Sequence, residues 1–113
     1  MKAQIAAVLL LIAAPAVAAT FQPTEAAKHI GESATVQGTA SVYVSKGGTI
    51  FIDLGGKGRS APFTGVIFKN RAGNFSNVES YSGKTVDITG TIKEYRGKPE
   101  IILDKPSQVH VQN

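Results

Sequence analysis

A chain of 113 residues has room for one domain with a modest core, and its lack of cysteine excludes disulfide staples, thiolate metal sites and cysteine nucleophiles. Hydrophobic residues make up 42% and charged residues 18%, with 12 glycines, which excludes a disordered tail and points to a folded protein rich in turns. Twelve Lys and Arg against eight Asp and Glu give a formal charge of +4, a surplus that permits a phosphate-bearing or anionic partner without requiring one.

The first residues read as an export signal. Met1-Lys2 is a short positive start, residues 5–14 are an almost unbroken apolar run, and Ala16-Val17-Ala18 has the small-x-small pattern of a signal-peptidase site. The apolar run is shorter than the ~20 residues a transmembrane helix needs, and Pro15 interrupts it. No cysteine follows the small residues, so a lipid anchor is excluded. Residues 1–19 are therefore expected to be a signal peptide and residues 20–113 the mature domain, periplasmic or secreted and without membrane insertion once the signal is removed. Loss of Lys2 leaves eleven cations against eight carboxylates.

Thr24 offers an N-cap ahead of Glu25, Ala26, Ala27 and Lys28, and Gly31 follows where a helix would stop, so one or two helical turns are expected. From Ser33 the period is two. Ala34, Val36, Gly38, Ala40, Val42 and Val44 share one face, and Thr35, Gln37, Thr39, Ser41 and Tyr43 the other, as in a long half-buried strand. Gly38 and Ala40 are small residues on its core face, which suits sharp coiling or the close approach of another strand.

Ser45-Lys46-Gly47-Gly48 reads as a turn into a second strand, with Ile50, Ile52 and Leu54 inward and Thr49, Phe51 and Asp53 outward. Residues 55–62 read as a flexible loop bearing Lys57 and Arg59, and residues 63–69 as a third strand rich in β-branched and aromatic side chains. Between 70 and 82, Gly73, Asn74, Ser76 and Asn77 break the strand pattern, while Phe75, Val78 and Tyr81 recur every three residues, as on a short helical plug. Alternation resumes over 83–94, with Val86, Ile88, Gly90 and Ile92 set against Thr85, Asp87, Thr89 and Thr91. Arg96-Gly97-Lys98 then turns the chain into a last apolar strand over 100–103, stopped by Pro106.

Three strands in a meander, a short helix, then a hairpin is the order of the OB-fold, an all-β five-stranded Greek-key barrel. An SH3-like barrel or an open sandwich leaves the segment around Phe75 without a natural place. The residues also resemble a family of small exported bacterial OB-fold domains of the tRNA-anticodon-binding-like type, found as stand-alone proteins and beside secreted nuclease domains. The resemblance rests on residues 25–32 (EAAKHIGE), 62–68 (PFTGVIF), 83–86 (GKTV), 97–101 (GKPEI) and 106–108 (PSQ), which run through nearly all of the mature chain. It implies the barrel fold and a nucleic-acid-binding shape, and it implies no particular activity.

An OB barrel that binds nucleic acid presents the outer face of its second and third strands, flanked by the loops joining the first strand to the second and the fourth to the fifth. Those places hold Tyr43, Lys46, Phe51, Lys57, Arg59, Tyr95, Arg96 and Lys98, the candidate ligand-binding residues. Rings interleaved with cations suit a single strand, because rings stack on bases and cations neutralise phosphates. A purely structural use competes with that reading: Phe51 packed beneath a loop, Tyr43 and Tyr95 covering the barrel ends, and the cations merely solvated. Phe75 and one of Phe63 or Phe68 are expected inside.

Other motifs fail on context. The run from Gly56 to Ala61 is followed by Pro62 and a strand where a dinucleotide fingerprint needs a helix N-terminus, and Gly83-Lys84-Thr85 has Val78 where a P-loop needs its first glycine. His29 and His110 are far apart and lack a carboxylate cluster. The serines lack a nucleophile elbow, and Asp53, Glu79, Asp87, Glu94, Glu100 and Asp104 are scattered. No metal, cofactor or catalytic group is expected. The expectation is a non-enzymatic exported binding module with single-stranded nucleic acid as first ligand. The alternatives are a protein–protein or envelope-assembly adaptor that captures an extended peptide, and a small-ligand or oligosaccharide binder.

Overall fold

The computed structural model describes residues 19–113, so the expected signal peptide lies outside the described residues apart from Ala19. The order is β1 (Thr20–Phe21), a 3-10 helix (Pro23–His29), β2 (Ser33–Val44), β3 (Ile50–Leu54), a 3-10 turn (Gly58–Ser60), β4 (Phe63–Ile67) and α1 (Lys69–Ala72). A 3-10 turn (Val78–Tyr81), β5 (Thr85–Thr91), β6 (Lys93–Tyr95), β7 (Lys98–Ile102), a 3-10 turn (Pro106–Gln108) and β8 (Val109–Val111) complete it. No helix among the described residues is long and apolar enough to cross a membrane.

The long alternating run is β2, and it organises the rest. Its first half pairs antiparallel with β5, Ser33 opposite Thr91 through Thr39 opposite Thr85. Its second half pairs antiparallel with β3, Ala40 opposite Leu54 through Val44 opposite Ile50. One strand thus serves two ladders, and the small residue at the changeover is sterically required: a Cβ on Gly38 would stand 2.7 Å from Cγ of Pro23. From β3 the sheet continues antiparallel to β4, then parallel from β4 to β7, whose other edge carries β6.

Eight strands replace the expected five, and the hydrogen-bonded order β6-β7-β4-β3-β2-β5-β8 has two ends where a closed barrel was expected. The run read as one strand over 83–94 divides at Ile92. That side chain is fully buried, its N–H donates to the Glu32 carbonyl and its carbonyl accepts from the Gly31 N–H. Beyond it the chain leaves β2 and pairs with β7, so β5 and β6 are consecutive strands in different ladders. The other added strands are short flanking segments: β1 lies parallel beside β2, and β8 antiparallel beside β5.

The core holds the inward residues of both halves, among them Val36, Ile52, Leu54, Ile88 and Ile101, all fully buried. On the second half of β2 the inward set thins out, with Val42 only partly buried and Val44 exposed. A Cβ on Gly65 of β4 would stand 2.7 Å from Cδ1 of Ile88, so the side chain of Ile88, on a strand not hydrogen-bonded to β4, packs directly onto the β4 backbone across the interior.

The helical plug expected over 70–82 is split into the single turn α1 and the 3-10 turn Val78–Tyr81, with Asn77 between them at φ 55. Gly73, Asn74 and Asn77 favour turns over a continuous helix, yet Phe75 and Val78 are buried as a plug requires. Phe63 is fully buried, whereas Phe68 is 45% exposed. The first helix is a 3-10 helix capped by Gln22, not Thr24: the Gln22 N–H donates to the Glu25 carboxylate at 2.8 Å.

Candidate functional site

Because side chains alternate along a strand, one side of β3, β4 and β7 faces the core and the other carries a separate set in register, continued onto β6, whose three residues are all exposed. Asp53 lies opposite Thr64, Thr64 opposite Glu100, and Glu100 opposite Lys93, one polar row across four strands. Two residues along, Tyr43, Phe51, Val66 and Ile102 form a second, mainly apolar row. Asp53, Thr64 and Glu100 of the first row floor an open groove of about 600 Å³, which Tyr43 and Phe51 of the second row border.

Three walls rise from that floor. On one side the Tyr43 and Phe51 rings stack with centroids 6.2 Å apart and planes 24° apart. Opposite stands the β6–β7 hairpin, whose two-residue turn puts Arg96 at φ 51 and Gly97 at φ 78, the geometry of a type I′ turn. The Arg96 guanidinium lies 5.3 Å from the Tyr95 ring centroid, within cation–π range. The third wall is the Gly58–Ser60 turn, which carries Arg59.

That turn is pinned, a correction to the flexible loop expected over 55–62. Asp53 Oδ2 accepts from the Gly58 N–H at 2.8 Å, and Lys98 Nζ donates to the Gly58 carbonyl at 2.9 Å. Asp53 sits on the outward side of β3, as its alternation requires, yet the overlying turn leaves it only 5% exposed. Its other oxygen accepts from the Thr64 hydroxyl. Both Asp53 oxygens are therefore committed inside the protein.

Six of the eight candidate residues meet here: Tyr43, Phe51, Arg59, Tyr95, Arg96 and Lys98. Tyr43 and Tyr95 are 60% and 57% exposed, so their rings are free to meet a ligand, whereas Phe51 is half-buried. Lys46 stands exposed on the β2–β3 turn without lining the groove, and Lys57 borders a different cleft with Ser41, Val42 and Ser82. Asp53, Thr64 and Glu100 belong to the groove and were not singled out as ligand-binding residues; their signal was the outward phase of three paired strands. Burial holds the Glu100 carboxyl above the usual carboxylate value, against the opposing pull of Lys93 and Lys98. Neither histidine is near: His29 stacks on Phe21 and hydrogen-bonds Glu32 at 2.7 Å, and His110 is exposed on β8.

A groove with aromatic walls, cationic rims and a polar floor suits a ligand that is flat on its faces, anionic along one edge and polar along the other. No protein-family model matches the chain, and no curated protein matches it. Among solved structures the chain is similar to one described as an aspartyl-tRNA synthetase from Leishmania major Friedlin, with a TM-score of 0.56 at 12% identity. The match covers 90% of this chain and 22% of that one, so the chain corresponds to about a fifth of the larger protein's length. At this identity the likeness supports an OB-like fold and carries nothing of the activity.

Proposed function

We propose that this chain is an exported, non-enzymatic OB-fold module that takes single-stranded nucleic acid in the groove over β3, β4 and β7. On this reading β2, β3, β4, β7 and the consecutive pair β5–β6 stand for the five strands of the barrel. β5 and β6, separated only by Ile92, join the two ladders through the covalent chain. The groove then lies on the ligand-binding side used by nucleic-acid-binding members of that fold. The structural neighbour is described as a tRNA synthetase, which fits this reading. Export, periplasmic or extracellular residence and membership of the exported family come from the residues of the leader and of the mature chain.

The observation that carries the reading is the convergence of Tyr43, Phe51 and Tyr95 with Arg59, Arg96 and Lys98 around one groove. Each ring that stacks on a base contributes about 1–3 kcal/mol, and each cation that replaces a condensed counterion adds to the salt dependence. Polarisation of a labelled single-stranded oligonucleotide is expected to rise with added protein and to fall back as salt is raised. Tyr95→Ala, at a largely exposed position, is expected to weaken binding about tenfold. A polarisation that never changes, or one indifferent to salt and to Tyr95, overturns the proposal. Nuclease-resistant capture of one defined envelope protein, with no oligonucleotide binding, favours the adaptor instead.

A further inference from the structure

Two carboxylates in the floor of a groove proposed to hold a polyanion need a reason. Asp53 has one: it accepts from Thr64 and Gly58 and holds the wall in place. Glu100 has none of that kind. It lines the groove, it is half-buried, and among the described residues it has no hydrogen-bond partner and no ion pair; Lys93 and Lys98 flank it without reaching ion-pair distance. A half-buried carboxylate without a partner forgoes part of its hydration, and a donor from a ligand would restore it.

Resting on the nucleic-acid reading, we infer that Glu100 is a specificity-determining residue that accepts hydrogen bonds from the pairing edge of a base, favouring guanine and disfavouring thymine or uracil. The geometry assigns the parts of a nucleotide to the parts of the groove. Phosphates are repelled by the floor and drawn to the rim, where Arg59, Arg96 and Lys98 stand, and the rings of Tyr43, Phe51 and Tyr95 take base faces. The pairing edge then points at the polar row. A carboxylate is an acceptor with two oxygens and no proton to give, so it rewards edges that present donors. Guanine presents two adjacent donors, N1–H and the N2 amino group, which match the two oxygens of one carboxylate. Cytosine and adenine present one amino group beside a ring acceptor. Thymine and uracil present a single N–H flanked by two carbonyls, which the carboxylate repels. A well-made bidentate contact discriminates against the wrong base by on the order of tenfold or more.

The test compares two labelled oligonucleotides of equal length, one alternating thymine and guanine and one all thymine, against the full protein and its Glu100→Gln variant at one salt concentration. The wild type is expected to bind the guanine-containing strand about tenfold more tightly. Glu100→Gln keeps the side chain's shape, removes its charge and replaces one acceptor oxygen by a donor. It is expected to lose the preference while binding all-thymine at least as tightly as the wild type. Equal binding of both strands by the wild type overturns the base preference and leaves nucleic-acid binding standing. A preference that survives in Glu100→Gln overturns the role of Glu100. Failure of the wild type to bind either strand overturns this inference and the proposed function together.

Discussion

Arg96 is the residue at which backbone conformation and proposed function pull against each other. A type I′ hairpin turn asks for positive φ at both central positions, which favours Asn-Gly or Gly-Gly, and a residue with a long side chain in that region costs about 1–2 kcal/mol. The protein keeps an arginine at φ 51, with its guanidinium beside Tyr95 on the groove rim. Strain retained at a candidate site is a pointer to function. Arg96→Asn is expected to add up to about 1 kcal/mol of stability, read as a higher urea midpoint, while weakening oligonucleotide binding. Glu100 adds a pH signature. Its proton is held more tightly in the folded protein, chiefly because of burial, so stability falls as pH rises from the ordinary carboxylate value through the raised one and stays lowered above it. Glu100→Gln should therefore unfold at higher urea than the wild type at neutral pH, with the gain vanishing below the carboxylate range. An unchanged or lowered midpoint at neutral pH would show that the attraction of Lys93 and Lys98 outweighs burial.

At the scale of elements, the groove depends on a turn held from outside itself. Asp53 on β3 and Lys98 on β7 fix Gly58 from two strands, which is why residues 55–62 form a wall. Asp53→Ala leaves the Thr64 hydroxyl and the Gly58 N–H without their acceptor. It is expected to cost about 1–3 kcal/mol and to speed hydrogen exchange of the Gly58 amide far more than that of Ile88 in the core. Equal acceleration at both would mean that the pin is only part of general stability. This dependence on distant partners also marks the limit of what the sequence makes legible. Period-two alternation located β2, β3 and β5, because a half-buried strand must alternate, and it put Tyr43 and Phe51 on the outward side; β4, buried throughout, was legible from its β-branched and aromatic residues. It did not show that Asp53 would be covered, since the cover is set by contacts with residues five and forty-five positions later, Gly58 and Lys98 acting together. Nor did it reveal the break at Ile92, since the inward phase runs through Val86, Ile88, Gly90 and Ile92 and the pairing partner changes only beyond it. β1 and β8 have two and three residues, too few to display a period. Lys46 and Lys57 were assigned from their loops alone, and the conformation of a loop sets where its side chains stand.

At the scale of the whole molecule, the fold brings residues from four separate stretches of chain into one groove: Tyr43 and Phe51 from the first hairpin, Arg59 from the pinned turn, Thr64 from β4, and Tyr95 through Glu100 from the last hairpin. None of these stretches could form the site alone. The side where β8 and the Pro106–Gln108 turn lie along β5 contributes no residue to the groove and is tied differently: the Gln108 side chain accepts from the Asp104 and Lys105 amides and donates to the Thr89 carbonyl at 3.1 Å and the Ile102 carbonyl at 3.4 Å. That side therefore serves as an internal reference. The most direct measurement is an amide chemical-shift titration of the nitrogen-15-labelled protein with a short guanine-containing single strand. Shifts concentrated at Tyr43, Phe51, Arg59, Thr64, Tyr95, Arg96 and Glu100, with Val109, His110 and Val111 unmoved, are the expected result; shifts confined to β8 and β5, or none at saturating oligonucleotide, would contradict it.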